Sequence, residues 1–367
     1  MPTFNADDHR FMAEALKLAQ QGLYSATPNP RVGCVLVQAG QIVGRGWHRT
    51  AGEAHAEVVA LKDAGGQAAG ASVYVSLEPC NHHGHTPPCT EALLVAGVKK
   101  VVAAIRDPNP QSNSGLVRLQ AAGVETAFGL LEEEARELNM GFISRVTRAR
   151  PWVRLKCAAS LDGKTALSSG ESQWITNAEA RHDNQHWRAR SCAILTGIGT
   201  QRQDDPRLNV REIEIPRQPL RVVVDTHLRM DPASRLLQNA SSAQVLIVCA
   251  KADKHKSSRL RESGAEVISL PGGTEQPQVD LEALLSEMAR RGINEVQVEA
   301  GARLNGALLS AGLVDELLLY LAPCLLGDQA RGLAILPGLE QLVERPVFKL
   351  RDVCQFGDHL RLQLRPE

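Results

Sequence analysis

The sequence has no surplus of either charge. It carries 41 Lys and Arg against 41 Asp and Glu, with a pI near 7.2. That balance gives no support for a nucleic-acid or membrane-surface role, so a small-molecule substrate is expected. Long apolar runs are missing too: no stretch reaches the roughly 18 apolar residues expected of a membrane-spanning helix. Met1 to Asp8 contain no basic region followed by an apolar run, so no secretory signal is expected. Cysteine is sparse. Eight in 367 residues do not make a disulfide framework, and their spacing suggests metal and core use in a reducing compartment. A cytoplasmic protein is expected. Internal repeats and low-complexity segments are also absent.

What is present begins with length. At about 100 to 200 residues per domain, 367 residues predict two domains. Hydrophobic residues at 43% suffice for ordinary cores. The richest stretch is Cys80 to Cys89, led in by Glu78-Pro79 and preceded by His55-Ala56-Glu57. One imidazole and two thiols, His55, Cys80 and Cys89, can hold zinc by three protein ligands. A fourth position then stays open for water, the pattern of a catalytic rather than a structural zinc. The order His-x-Glu, Pro-Cys, Cys is the zinc-deaminase signature, in which the glutamate moves protons and does not bind metal. Glu57 holds that place here. Zinc lowers the pKa of water from about 15.7 to about 7. That is on the order of 12 kcal/mol. A positioned carboxylate contributes about 100- to 10,000-fold in rate, so the metal is the larger effect. Eight residues separate the cysteines, where the general signature has two. His82, His83 and His85 in the gap are competing ligands on paper, and are expected to be loop or substrate-facing residues.

Taken in order, helical spacing of Phe11, Met12, Ala15, Leu18 and Ala19 predicts a first helix from Asp7-Asp8 to Gly22. Residues 32–37 and 42–47 predict a hairpin. Asn29 beside it can orient a pyrimidine, or simply form a turn. Residues 55–64 read as a helix with His55 and Glu57 in its first turn, and 72–77 as a strand ending at Glu78-Pro79-Cys80. A helix beginning at Cys89, a strand over 99–105 and a helix–strand–helix series to 144 follow. The alternation predicts an α/β layer fold. Residues 145–151, basic and closed by Pro151, read as a linker. The predicted domains are therefore 1–150 and 151–367.

Beyond the linker, strands are expected at 193–196, 220–225, 244–249, 266–270 and 295–299, and helices at 178–191, 281–291 and 303–311. Late strands at 316–322, 347–354 and 359–364 lack intervening helices. They predict a mostly parallel sheet finished by an antiparallel portion. Two glycine turns, Gly197 to Thr200 and Glu299 to Gly306, follow strands and suit a ligand cleft at strand ends. Neither is a dinucleotide fingerprint or phosphate loop. Lys156, Arg188 and Arg211 are candidate phosphate ligands or solvated surface charges.

Several motifs together resemble one family. Pro28-Asn29-Pro30-Arg31-Val32-Gly33, His55-Ala56-Glu57, Leu77-Glu78-Pro79-Cys80 and Gly84-His85-Thr86-Pro87-Pro88-Cys89 are similar to the amino half of the bifunctional riboflavin-biosynthesis deaminase/reductase. Ala159 to Lys164, Ser169 to Thr176 and Asp204 to Leu208 are similar to its reductase half. That family uses the eight-residue cysteine spacing. His85 stands where it usually has Arg. The resemblance implies a cytidine-deaminase-like three-layer domain followed by a dihydrofolate-reductase-like domain. It implies zinc-dependent deamination of a diaminopyrimidinone ribose phosphate, then NADPH reduction of the ribosyl chain. It places cofactor contacts at Ala158, Trp174, Thr200, Asp204, Thr226 and the turn Gly301, Ala302, Arg303, Leu304, Asn305, Gly306, Ala307. Substrate contacts fall at Ser172, Arg188, Leu208, Arg211 and Glu299. Lys156 is the candidate for stabilising or protonating the developing amine. A homo-oligomer is the expected assembly. Two other readings stand beside this one. A nucleic-acid deaminase shares the zinc signature, but the neutral charge opposes it. A structural zinc knuckle would need one of His82, His83 or His85 as a fourth ligand.

Overall fold

The computed structural model describes residues 3–83, 87–110, 112, 114–238, 244–273 and 278–367. His85 lies outside them. The chain forms two compact units, Met1–Ala149 and Arg150–Glu367.

The first unit runs α1 (Ala6–Gln20), β1 (Gly33–Gln38), β2 (Gln41–Trp47), α2 (Ala56–Ala64), β3 (Ser72–Leu77), α3 (Cys89–Val95), β4 (Lys100–Ile105), α4 (Gly115–Ala121), β5 (Glu125–Phe128) and α5 (Glu132–Arg148). Its sheet order is β2-β1-β3-β4-β5. The β1 strand is antiparallel to both neighbours, while β3, β4 and β5 are parallel. Helix α1 starts where Asn5 and Asp8 cap each other, each side chain accepting the other's backbone N–H at 2.9 Å. Its apolar stripe, Phe11 to Ala19, is buried on the sheet. Two glycines on β2 let α2 lie against the strand. A Cβ on Gly44 would stand 2.3 Å from the Ala60 carbonyl oxygen, and one on Gly46 would stand 2.2 Å from that of Ala56. The segment read as a linker differs: residues 145–148 are the last turn of α5. Their charges favour a helix C-terminus as readily as a loop.

The second unit runs β6 (Trp152–Ser160), β7 (Lys164–Ala166), α6 (Ala178–Arg190), β8 (Ala193–Gly197), α7 (Ile198–Asp204), β9 (Leu220–Val224), α8 (Arg235–Gln238), β10 (Val245–Cys249), α9 (Lys254–Glu262) and β11 (Ala265–Ser269). There follow β12 (Pro271–Gly272), β13 (Gln278–Val279), α10 (Leu281–Arg290), β14 (Glu295–Val298), α11 (Ala302–Ser310), β15 (Glu316–Ala322), β16 (Arg331–Gly332), β17 (Phe348–Phe356) and β18 (His359–Pro366). The main sheet has the order β11-β10-β9-β8-β14-β6-β15-β18-β17. It is parallel from β11 to β15, and β18 and β17 close it antiparallel. Arg154, fully buried on β6, bonds Glu316 on β15 at 2.5 Å and Glu295 on β14 at 3.3 Å. Arg190 and Arg365 hold those carboxylates from outside, at 2.7 and 3.2 Å.

Candidate active sites

The first site is assembled by three chain segments. Strand β3 runs into Glu78-Pro79-Cys80, α2 begins just after His55, and α3 begins at Cys89. Glu78 fixes the cysteine loop: its carboxylate accepts the backbone N–H groups of Asp107 at 3.1 Å and Leu116 at 2.9 Å. The result is a convergent donor set. His55 Nδ1 lies 3.5 Å from Cys80 Sγ and 3.2 Å from Cys89 Sγ. Zinc bonds of about 2.0 to 2.3 Å in tetrahedral array separate such donors by roughly 3.5 Å, so one imidazole and two sulfurs fit that ion. Among the described residues these three are the convergent metal-ligating group, with donor atoms within 4.8 Å of one another. His82 and His83 are exposed and outside it.

Glu57, one helical step beyond Ala56, is 3% exposed. Burial raises its pKa, and its carboxyl is a hydrogen-bond partner of the Cys89 thiol. The Cys89 thiol also hydrogen-bonds Cys80; against the effect of burial, that bond and His55 bring Cys80 down to about 4.

A residue the sequence did not single out completes this pocket. His48 is buried, and its ring meets that of His55 edge-on with centroids 5.4 Å apart. Burial holds its pKa down. With Nδ1–H donating to the Ala54 carbonyl at 3.2 Å, Nε2 accepts from the Asn29 amide at 3.0 Å. That pairing fixes the Asn29 side chain. No sequence spacing links residues 29, 48 and 55; the fold alone brings them together.

The second site gathers at the carboxyl ends of β8 and β14, beside the middle of β6. Arg188 on α6 grips Glu299 with two parallel hydrogen bonds of 2.6 and 2.7 Å. Gln297 also donates to Glu299 at 2.8 Å. Burial would raise the Glu299 pKa, but Arg188 and Lys156 outweigh it and keep the group ionised. Burial lowers the pKa of Lys156, which lies 5.6 Å from the Tyr320 ring centre. Arg211 is exposed and bonds Asn209 at 3.1 Å. Burial and the Arg188 guanidinium lower its pKa, so an anion there would relieve repulsion. Two turns sit side by side: Thr200 Oγ1 lies 3.5 Å from where a Gly301 Cβ would be.

Comparison with known proteins agrees with both halves. Residues 151–362 match the family described as RibD C-terminal domain. Residues 5–105 match the cytidine and deoxycytidylate deaminase zinc-binding region. The riboflavin biosynthesis protein RibD of Escherichia coli is 47% identical, covering 97% of this chain and 99% of its own. That of Haemophilus influenzae is 45% identical over the whole of both chains. The solved Acinetobacter baumannii RibD, form 1, superposes with a TM-score of 0.90 at 43% identity, covering 98% of this chain and 99% of its own. The chain belongs to the RibD family. It is a bifunctional enzyme of riboflavin biosynthesis, with a zinc-dependent deaminase half of cytidine-deaminase-like fold and an NADPH-dependent reductase half of dihydrofolate-reductase-like fold.

Within this RibD chain the expected reductase residues take unlike positions. Ala158, Ser172, Asp204 and Thr226 are half-buried. Burial raises the Asp204 pKa. Trp174 is 69% exposed, with the Arg181 guanidinium 4.5 Å over its ring. Leu208 is buried in the core, so its backbone is what it can offer a ligand. The run 301–307 divides. Gly301 is the N-cap of α11, and Ala302 and Arg303 open its first turn, whose N–H groups lack intrahelical acceptors. Leu304 packs on the core. Asn305 donates to the Leu333 carbonyl at 2.9 Å, and a Cβ on Gly306 would strike the Ile335 carbonyl oxygen at 1.9 Å. Ala307 is exposed.

Proposed function

We propose the following assignment of residues to the two reactions. The deaminase half acts on 2,5-diamino-6-(5-phosphoribosylamino)pyrimidin-4(3H)-one, and the reductase half on 5-amino-6-(5-phosphoribosylamino)uracil. A solved Thermotoga maritima structure, 33% identical with a TM-score of 0.87 and covering 98% of this chain and 99% of its own, is that of a diaminohydroxyphosphoribosylaminopyrimidine deaminase/5-amino-6-(5-phosphoribosylamino)uracil reductase. The observation that carries the first assignment is the convergence of His55, Cys80 and Cys89 beside a buried Glu57.

Zinc held by His55, Cys80 and Cys89 supplies the Lewis acidity that makes water nucleophilic near neutral pH. Glu57 accepts a proton from the attacking water and passes protons to the ring nitrogen and the departing ammonia. Its buried position beside the proposed zinc ligands suits a carboxyl that acts as general acid and base. Asn29, held by His48, presents its carboxamide to the pyrimidine edge.

NADPH supplies the reducing equivalent of the second reaction. The α11 turn at Gly301, with Thr200 beside it, offers N–H and hydroxyl donors to the cofactor pyrophosphate. Trp174 gives a flat apolar wall, and Ala158, Asp204 and Thr226 border the same strand ends. Lys156 lends a proton to the developing amine. Ser172, the Leu208 backbone and the Arg188–Glu299 pair position the ribose phosphate. Arg211, whose guanidinium donates to the neutral Asn209 side chain, meets the phosphate itself. Arg211→Ala is expected to raise KM for the phosphorylated substrate about tenfold while kcat holds. An unchanged KM in steady-state NADPH oxidation would remove Arg211 from the phosphate site. The whole assignment is tested by supplying the diaminopyrimidinone ribose phosphate with NADPH and following ammonia and cofactor absorbance together.

A cytoplasmic homo-oligomer completes the proposal. All eight cysteines are unpaired, and among the described residues no helix is long and apolar enough to cross a membrane. The sheet's edge hairpin exposes Leu350, Val353 and Leu360, which suits contact with a second copy.

A further inference from the structure

Helix α6 carries two exposed histidines one turn apart, His182 and His186. They line a cavity of about 640 Å³ together with Glu179, Asp183, Glu212 and Phe356. The two rings meet edge-on with centres 5.3 Å apart. Glu212, on the loop before β9, brings its carboxylate to 3.3 Å from His182 Nδ1. His182 and Glu212 are both more than half exposed, so their pairing does little for stability. Asp183 is otherwise engaged, accepting from Tyr320 at 2.5 Å and from Arg361 at 2.9 Å. The cavity wall carries three carboxylates and no lysine or arginine, which favours a cation. Neither reaction assigned above uses either imidazole.

The chemistry of this pair is that of a chelate. Two histidines at i and i+4 on one helix face have the spacing that holds zinc in helical metal sites. With zinc–nitrogen bonds of about 2.0 to 2.1 Å and tetrahedral angles, two imidazoles on one ion hold their ring centres roughly 5 Å apart. The rings of His182 and His186 already stand at 5.3 Å. A carboxylate bonded to one ring nitrogen is the usual companion of a metal-binding histidine, because it fixes the tautomer and leaves the other nitrogen to the ion. Glu212 does this for His182: with Nδ1–H donating to it, Nε2 keeps its lone pair. The pair differs from the His55 group, where three protein donors converge. Here two nitrogens hold the ion and water completes its shell. The geometry points to a second metal site, in which His182 and His186 bind a divalent ion of borderline softness, of the Zn²⁺ class, and Glu212 orients His182.

The test takes the full-length chain loaded with its deaminase zinc and titrates it calorimetrically with Zn²⁺. Wild type is expected to take up one further equivalent. His182→Ala and His186→Ala are each expected to lose it, and Glu212→Gln to weaken it about 10- to 100-fold. All three side chains are exposed. Ammonia release and NADPH oxidation at wild-type levels, measured before the titration, report intact folds in both units. His255→Ala, at an exposed histidine on α9, is expected to leave the further equivalent in place. Absence of a further equivalent in wild type overturns the inference. So does a further equivalent that either α6 histidine variant retains at wild-type affinity, because the ion would then sit elsewhere. Equal loss in His255→Ala overturns it too, since binding would be spread over surface imidazoles. Wild-type affinity in Glu212→Gln overturns the orienting role of the carboxylate.

Discussion

Glu57→Gln is expected to lower ammonia release by about 100- to 10,000-fold, while zinc content and NADPH oxidation on pre-deaminated substrate stay at wild-type levels. The amide keeps the shape and the α2 position of the carboxyl, so His55, Cys80 and Cys89 retain their geometry. What it loses is the capacity to take and return a proton within a buried pocket. The range follows from the work assigned to it: a general acid–base group contributes that much, and Lewis acidity supplies the remainder. Measuring both half-reactions on one preparation separates chemistry from folding, since the reductase serves as internal control. Deamination at the wild-type rate would take Glu57 out of the mechanism. Loss of zinc along with activity would make it a structural residue.

Arg154→Ala carries the largest expected cost in stability, about 3 to 5 kcal/mol for the second unit. The guanidinium is fully buried between Glu295 and Glu316, and its face covers the Trp187 ring at 4.5 Å. Removing it leaves two carboxylates in the interior of a parallel sheet and a void beside the indole. Arg190 and Arg365 still reach those carboxylates, which limits the loss to the stated range rather than a full pair of orphaned charges. Hydrogen exchange on peptides from β6, β14 and β15 measures the effect locally. Zinc content of the first unit should be unaffected. A loss below about 1 kcal/mol would mean that the flanking arginines neutralise the carboxylates without Arg154.

The sequence was most legible where chemistry demands particular residue types. His55, Glu57, Cys80 and Cys89 stood out because few side chains bind zinc or move protons. Apolar strands such as residues 245–249 were equally visible, since burial on both faces imposes an unbroken apolar run. Helices α7 and α9 were not. Lys254 to Glu262 buries only Ser257 and Leu260, so no apolar stripe announces it. Glycines in Gly197 to Thr200 suggested a bare turn, whereas Gly199 lies within α7. The Arg188–Glu299 grip was invisible for another reason. Each residue was recognisable as a ligand-facing group, but their mutual pairing depends on α6 crossing the end of β14, and 111 residues separate them.

The flat seat of α2 on β2 has a reach beyond packing. Gly46 abuts the carbonyl of Ala56, the residue immediately after the imidazole proposed to hold zinc. Even one methyl group on the strand would tip the helix start and swing the ring off its sulfur neighbours. On the proposed zinc assignment, Gly46→Ala is therefore expected to weaken metal binding, although residue 46 is itself no proposed ligand.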